Sequence, residues 1–244
     1  MPTISVEQSL LASLLSRHGC EHDIADVDQR LPLLGTDIDR CDKDVLDIEI
    51  FPNRPDLLSA ETLSFAMRGF LHNQPTLPNE TLESSGITMS VDAEISSIRP
   101  VILGAVVRGL SMKDDDEMDA FIKQLMDHQE KLHFALGRGR RRASIGVHDL
   151  ATLHPPFTVK AVDRSHAFIP LAMDNEMTID EILSSHPKGV EYAHLLEGMD
   201  RVPIIEDSKG AVLSFPPIIN GAHTTVQSST RDLFIDVTGW DRRA

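Results

Sequence analysis

Cysteine is nearly missing from this chain, and two classes of site go with it. Cys20 and Cys41 are the only two in 244 residues, too few for a disulfide framework or a cysteine-rich zinc site. No ligand spacing joins either to histidine, so no metal site is expected. No apolar run approaches the roughly 20 residues that cross a bilayer, and Met1-Pro2-Thr3-Ile4-Ser5-Val6-Glu7 lacks the basic-then-apolar pattern of a signal peptide. A cytoplasmic protein without membrane contact is the simplest expectation. No serine sits in a Gly-x-Ser-x-Gly elbow, and Gly137-Arg138-Gly139 lacks the rest of a dinucleotide or P-loop pattern. Lysine is scarce too, and the basic residues are mostly arginine.

What is present is a chain able to bury a real core, 41% hydrophobic, with a formal net charge of -15. That field repels phosphates, so any contact with nucleic acid must be local. Arg138, Arg140, Arg141 and Arg142 form the strong positive patch. It reads either as a solvated loop or as a phosphate clamp.

Ile4 to Val6 predicts a strand and Glu7 to Arg17 a helix with Leu10, Leu11, Leu14 and Leu15 on one face, stopped by Gly19. Val45 to Phe51 alternates as a half-buried strand, with Leu46, Ile48 and Ile50 facing one way. Pro52-Asn53-Arg54-Pro55 ends it, and Asp56 or Ser59 can cap the helix that follows. Residues 71 to 86, rich in Asn, Pro, Thr, Ser and Gly, read as a linker. They suggest an N-terminal domain at 1–80 and a larger domain at 81–244. In the second, Val101 to Val107 is nearly all apolar and is expected to be a central strand. Asp114 to Leu136 predicts a helix with an acidic first turn, and Val190 to Leu196 another. Further strands are expected at 143–147, 157–162, 202–205, 211–215 and 233–238. Strands and helices do not alternate regularly, so the fold class is α+β: a small N-terminal α+β domain followed by a larger mixed-sheet domain.

Polar residues placed inside apolar strands mark the candidate site, because buried polar groups need partners. In Leu233 to Thr238 the period of two puts Phe234, Asp236 and Thr238 on one face. Ser214 lies in the preceding strand, before the Pro216-Pro217 break, whose carbonyls are expected to lack ladder partners. Asn220 follows. Two readings fit: Asp236 and Thr238 organise a turn at Gly239 while Asn220 forms another, or these groups face a ligand. His148 reads as a structural histidine or a general base. If hydrolysis occurs, a positioned water is the better nucleophile, with Asp236 to orient it.

Three blocks, taken in order, resemble the beta subunit of phenylalanine-tRNA ligase of the archaeal and eukaryotic cytosolic type. They are the opening segment, Glu49-Ile50-Phe51-Pro52-Asn53-Arg54-Pro55-Asp56-Leu57-Leu58-Ser59, and Arg142-Ala143-Ser144-Ile145-Gly146-Val147-His148-Asp149-Leu150. The resemblance implies a small N-terminal domain and an editing domain that hydrolyses tRNA-Phe mischarged with tyrosine. It implies a site made of Ser214, Asp236 and Thr238 with Ile205 lining it; in that light Asp236 and Thr238 are expected to be catalytic, Ser214 and Asn220 to bind substrate beside Ile205, and Arg140, Arg141 and Arg142 to contact tRNA. Gly221-Ala222-His223 and Trp240 depart from the family pattern. The resemblance further implies tRNA-Phe and an alpha subunit as partners, in a heterotetramer. No cofactor is expected in this chain, since ATP and Mg belong to the complete synthetase. The chain stops at Asp241-Arg242-Arg243-Ala244, where a helix is expected to begin, and so reads as an N-terminal fragment or a truncated product. The alternatives are a noncatalytic tRNA-binding or alpha-subunit module, or a free-standing trans-editing deacylase.

Overall fold

The computed structural model describes residues 2–74 and 81–240. Part of the 71–86 linker and the expected helix start at 241–244 lie outside the described residues. The chain folds into two compact units, Met1–Leu82 with Gln124–Ala135, and Glu83–Lys123 with Leu136–Ala244.

In the first unit, β1 (Thr3–Glu7) leads into α1 (Gln8–Arg17), then α2 (Ile24–Arg30), β2 (Thr36–Cys41), β3 (Val45–Ile50) and α3 (Ala60–Phe70). The sheet order is β1-β3-β2, antiparallel throughout. The alternation in β3 sends Leu46, Ile48 and Ile50 into the core, where Leu11 and Leu15 of α1 and Leu63 and Met67 of α3 meet them. Ser59 caps α3 through a reciprocal box with Thr62. Leu132 and Ala135 pack against the same core. Those contacts place residues 124–135 with the first unit, whereas sequence grouping assigns them to the second domain.

After α3 the chain continues with β4 (Met89–Val91), α4 (Ile95–Ile98), β5 (Val101–Val107), α5 (Asp115–Ala135), whose residues from Gln124 on belong to the first unit, then β6 (Ala143–Asp149), β7 (Phe157–Asp163), β8 (Ala167–Phe168) and β9 (Met177–Thr178) of the second unit. After these come α6 (Ile179–Ser185), α7 (Pro187–Tyr192), β10 (Arg201–Glu206), β11 (Val212–Phe215), β12 (Ile219–Asn220) and β13 (Leu233–Gly239). One sheet runs β12-β11-β10-β7-β4 and a second β5-β13-β6, with β8 and β9 forming a small pair. Apolar residues cover both faces of the five-stranded sheet. Val162, Val202, Ile204 and Phe215 join one cluster, while Phe157, Val159, Ile205 and Leu213 join another with Phe234. Two-sided burial explains the nearly unbroken apolar run of β10.

Several expectations change here. Strand β5 is an edge, not a central strand: it pairs only with β13, and Leu103 is 61% exposed. Its apolar residues are covered on one face only and in part, where half-buried Ile102 and Val106 pack against the core. The helix expected at 190–196 is α7 followed by a 3-10 turn, Ala193–Leu196. Asp236 and Thr238 do not organise a turn, because they lie within the central strand β13.

Thr178 caps α6 through a box with Glu181, whose Oε2 accepts from Thr178 N at 2.7 Å and from Thr178 Oγ1 at 2.8 Å. Those bonds hold the Glu181 carboxyl below its ordinary range. Thr178→Ala is expected to cost about 1 kcal/mol at neutral pH, measured by chemical denaturation. Because the folded-state value is depressed, the Glu181 half of the box is fully present above its unfolded-state range, about 4.3, and is lost as pH falls below it. The difference between variant and wild type therefore shrinks in acid.

Candidate functional site

Strand β13 is flanked on both sides, and its alternation directs Phe234, Asp236 and Thr238 to one buried face. The residues opposite Asp236 are Gly104 on β5 and Gly146 on β6. Gly146 has no freedom to be larger: a Cβ there would lie 2.0 Å from Asp236 Oδ2 and 2.8 Å from His148 Nε2. The space left by the missing side chain admits the Asp236–His148 pair, joined at 2.8 Å between Oδ2 and Nε2. His148 is fully buried, and its Nδ1 lies 2.9 Å from Thr224 Oγ1. The imidazole is thus held at both nitrogens. Among the described residues the other Asp236 oxygen, Oδ1, makes no hydrogen bond.

Thr238 belongs to a second buried network. Arg99, just after α4, donates from Nε to Thr238 Oγ1 at 2.6 Å, and from Nη2 to Ser144 Oγ at 3.1 Å and Thr238 O at 2.9 Å. The two hydroxyls are 2.9 Å apart. Each accepts from Arg99 and only one proton lies between them, so one hydroxyl proton of the pair stays uncommitted. Burial pushes the Arg99 guanidinium down to about 10, a shift opposed by the Asp236 carboxylate. It remains charged at neutral pH.

Ile205, Ser214 and Asn220 form a second group. They are register partners across three adjacent strands, Ile205 opposite Ser214 and Ser214 opposite Asn220. The Ser214 hydroxyl is buried and has no hydrogen bond among the described residues. Asn220 Nδ2 donates to Val147 O at 3.2 Å, tying β12 to β6. Ile205 and Phe234 share one apolar cluster. The structure therefore brings Ile205, Ser214 and Asn220 together as one row and Asp236 and Thr238 together on one face, with both sheets joined through that cluster and the Asn220 bond.

The arginine run divides. Arg140 turns inward: Nη1 donates to Pro217 O at 3.2 Å and Ile218 O at 2.8 Å, and the guanidinium lies 4.3 Å from the Tyr192 ring centroid. These carbonyls, expected to be open after the proline break, are taken by Arg140. Its burial removes it from the surface role expected of it; Arg141 is exposed and Arg142 half-buried. Arg99, Ser144, Thr224 and Gly146 were missed by sequence reasoning. Gly146 alone carried a signal, since glycine inside a strand marks a close approach. Among the described residues no group of three His, Cys, Asp or Glu side chains is placed to hold a metal ion.

Residues 114–244, which include β13 and its neighbour β6, match the B3/4 domain family. Over 239 residues the chain is 46% identical to the phenylalanine-tRNA ligase beta subunit of Methanococcoides burtonii, covering 98% of this chain and 42% of that protein. It is 45% identical over 241 residues to that of Archaeoglobus fulgidus, covering 99% and 42%. The crystal structure of an N-terminal fragment of the phenylalanyl-tRNA synthetase beta-subunit from Pyrococcus horikoshii superposes with a TM-score of 0.85 at 34% identity, over 99% of this chain and 69% of that one. The chain belongs to the phenylalanine-tRNA ligase beta-subunit family and corresponds to its N-terminal part. It spans about 42% of the length of these curated relatives.

Proposed function

We propose that this chain carries a hydrolytic editing site for tyrosine esterified to tRNA-Phe, within a phenylalanine-tRNA ligase beta subunit. The observation that carries this reading is Asp236: a buried carboxylate with one oxygen fixed by His148 and the other without a partner among the described residues. Oδ1 accepts a proton from water as the water oxygen bonds to the ester carbonyl carbon. Collapse of the tetrahedral intermediate breaks the bond to the ribose oxygen, which takes that proton and leaves as the hydroxyl. His148 holds the carboxylate in place. Thr238 is itself fully buried and bonded to Arg99 and Ser144, so it serves as a fixed member of the site, and the uncommitted proton of the Ser144–Thr238 pair is a donor for substrate oxygen.

Selectivity rests on the other row. A site built to bond a substrate hydroxyl rejects the analogue lacking it, by up to about 10⁴ to 10⁵. Ser214 and Asn220 supply such partners beside the apolar wall of Ile205. The test is hydrolysis of Tyr-tRNA-Phe against Phe-tRNA-Phe by the purified chain; equal rates, or no rate above the uncatalysed one, reject the proposal. Ser214→Ala is expected to cut the preference for the tyrosyl ester about tenfold, the worth of one buried hydrogen bond.

In the complete enzyme this site accompanies an alpha subunit in a heterotetramer in the cytoplasm, with ATP and Mg serving aminoacylation elsewhere. Arg141 and Arg142 remain the tRNA-facing part of the arginine run.

A further inference from the structure

Ser144, Gly146 and His148 share one face of β6, and the register sets Ser144 opposite Thr238 and Gly146 opposite Asp236. Ser144 therefore lies on the face of the candidate base, about 7 Å further along the strand direction. A water and a carbonyl group, each in hydrogen-bond contact, fill about that span. Gly146, between Ser144 and His148, adds no side chain.

The bonds around Arg99 decide which hydroxyl keeps the uncommitted proton. Either Ser144 donates to Thr238 across their 2.9 Å contact and frees the threonine proton, or Thr238 donates to Ser144 and frees the serine proton. Thr238 is closer to the charge, accepting from Arg99 Nε at 2.6 Å, whereas Ser144 accepts from Nη2 at 3.1 Å. A hydroxyl that accepts from a cation is polarised into a stronger donor, and successive bonds reinforce one another. Thr238 is also fully enclosed, so a free proton there would be an orphaned buried donor, while Ser144 keeps 6% exposure. The chain of bonds thus runs from Arg99 through Thr238 to Ser144. Ser144 Oγ accepts from both, and its own proton has no acceptor among the described residues.

We infer that Ser144 is a catalytic hydroxyl, donating to the carbonyl oxygen of the aminoacyl ester as that oxygen becomes an oxyanion, with Thr238 and Arg99 positioning and polarising it. As water adds to the carbonyl carbon, the carbonyl electron pair moves onto oxygen and is held there by Ser144 Oγ–H. No proton leaves the serine. The pair returns as the bond to the ribose oxygen breaks, and that oxygen takes the proton carried by Asp236. Fixed donors aimed at developing charge are among the largest contributions to acyl transfer. This role presupposes Asp236 as the base that activates water.

Single-turnover hydrolysis of Tyr-tRNA-Phe by the purified chain separates chemistry from binding. Ser144→Ala is expected to slow the step about 10²- to 10³-fold, the loss for one oxyanion donor. It binds tyrosyl-tRNA-Phe carrying a non-hydrolysable 3′-amide within about threefold of wild type, because the bond strengthens in the transition state. Ser144→Thr keeps the hydroxyl and restores most of the rate. Thr238→Val removes only the donor behind the serine and slows the step about tenfold, the worth of one buried hydrogen bond. A wild-type rate in Ser144→Ala overturns the inference, as does a loss of amide affinity that matches the loss of rate. So does a larger loss in Thr238→Val than in Ser144→Ala, with thermal melts showing both folded. Hydrolysis by wild type and Ser144→Ala alike leaves the editing reading standing and retires the serine, whereas a wild type that does not hydrolyse the ester retires both.

Discussion

Asp236→Asn is expected to slow hydrolysis of Tyr-tRNA-Phe by about 10² to 10⁴, the range for removing a general base. Asparagine keeps the size of the side chain and still offers an oxygen to His148 Nε2, so the geometry at 2.8 Å is preserved. What it loses is the ability to take a proton from water. Asp236→Ala also removes the bond to His148 and leaves a cavity beside a buried guanidinium, so its effect mixes chemistry with stability. The informative comparison is the pair. If Asn retains most of the wild-type rate while Ala does not, the carboxylate positions other groups and is not the base. Thermal melts of both variants separate loss of fold from loss of reaction.

A methyl group at position 146 gives the second large effect. The added Cβ of Gly146→Ala falls 2.0 Å from Asp236 Oδ2 and 2.8 Å from His148 Nε2, so the pair must separate or the strands must part. Overpacking of this kind costs about 1–3 kcal/mol, and disrupting a buried ionisable pair adds to it. A loss of about 2–4 kcal/mol in chemical denaturation is expected, with hydrolysis down at least about a hundredfold. Gly104→Ala is the control on the other flank, where the nearest atoms are Phe234 Cε2 at 3.2 Å and the flexible end of Met89 at 3.5 Å. Its effect is expected to be much smaller. A Gly146→Ala protein that hydrolyses at the wild-type rate removes the Asp236–His148 pair from the mechanism.

Both sites of substitution show what sequence reveals and what it conceals. The shared face of Phe234, Asp236 and Thr238 was legible because side-chain alternation depends only on the strand existing. Ser214 and Asn220 were legible as polar positions inside apolar segments, but their register with Ile205 was not, since pairing is decided by strands outside the segment. Arg99 was invisible: its partners Thr238, Ser144 and Arg140 lie 41 to 139 residues away in the chain. The arginine run looked uniform, yet consecutive left-handed residues point Arg140 and Arg141 in different directions. Apolar content misplaced β5 for a related reason. It reports that a face is buried and says nothing about how many strands lie alongside.

The grouping of residues 124–135 with the first unit bears on synthesis. Translation delivers β1 through α3 long before Leu132 and Ala135 are made, although those two side chains cover part of the same core. Domains generally fold as units in order of emergence, but here the N-terminal unit waits on a segment encoded after β4, α4 and β5. Nascent chains halted near residue 82 would expose apolar core surface, and those halted beyond residue 135 would have it covered.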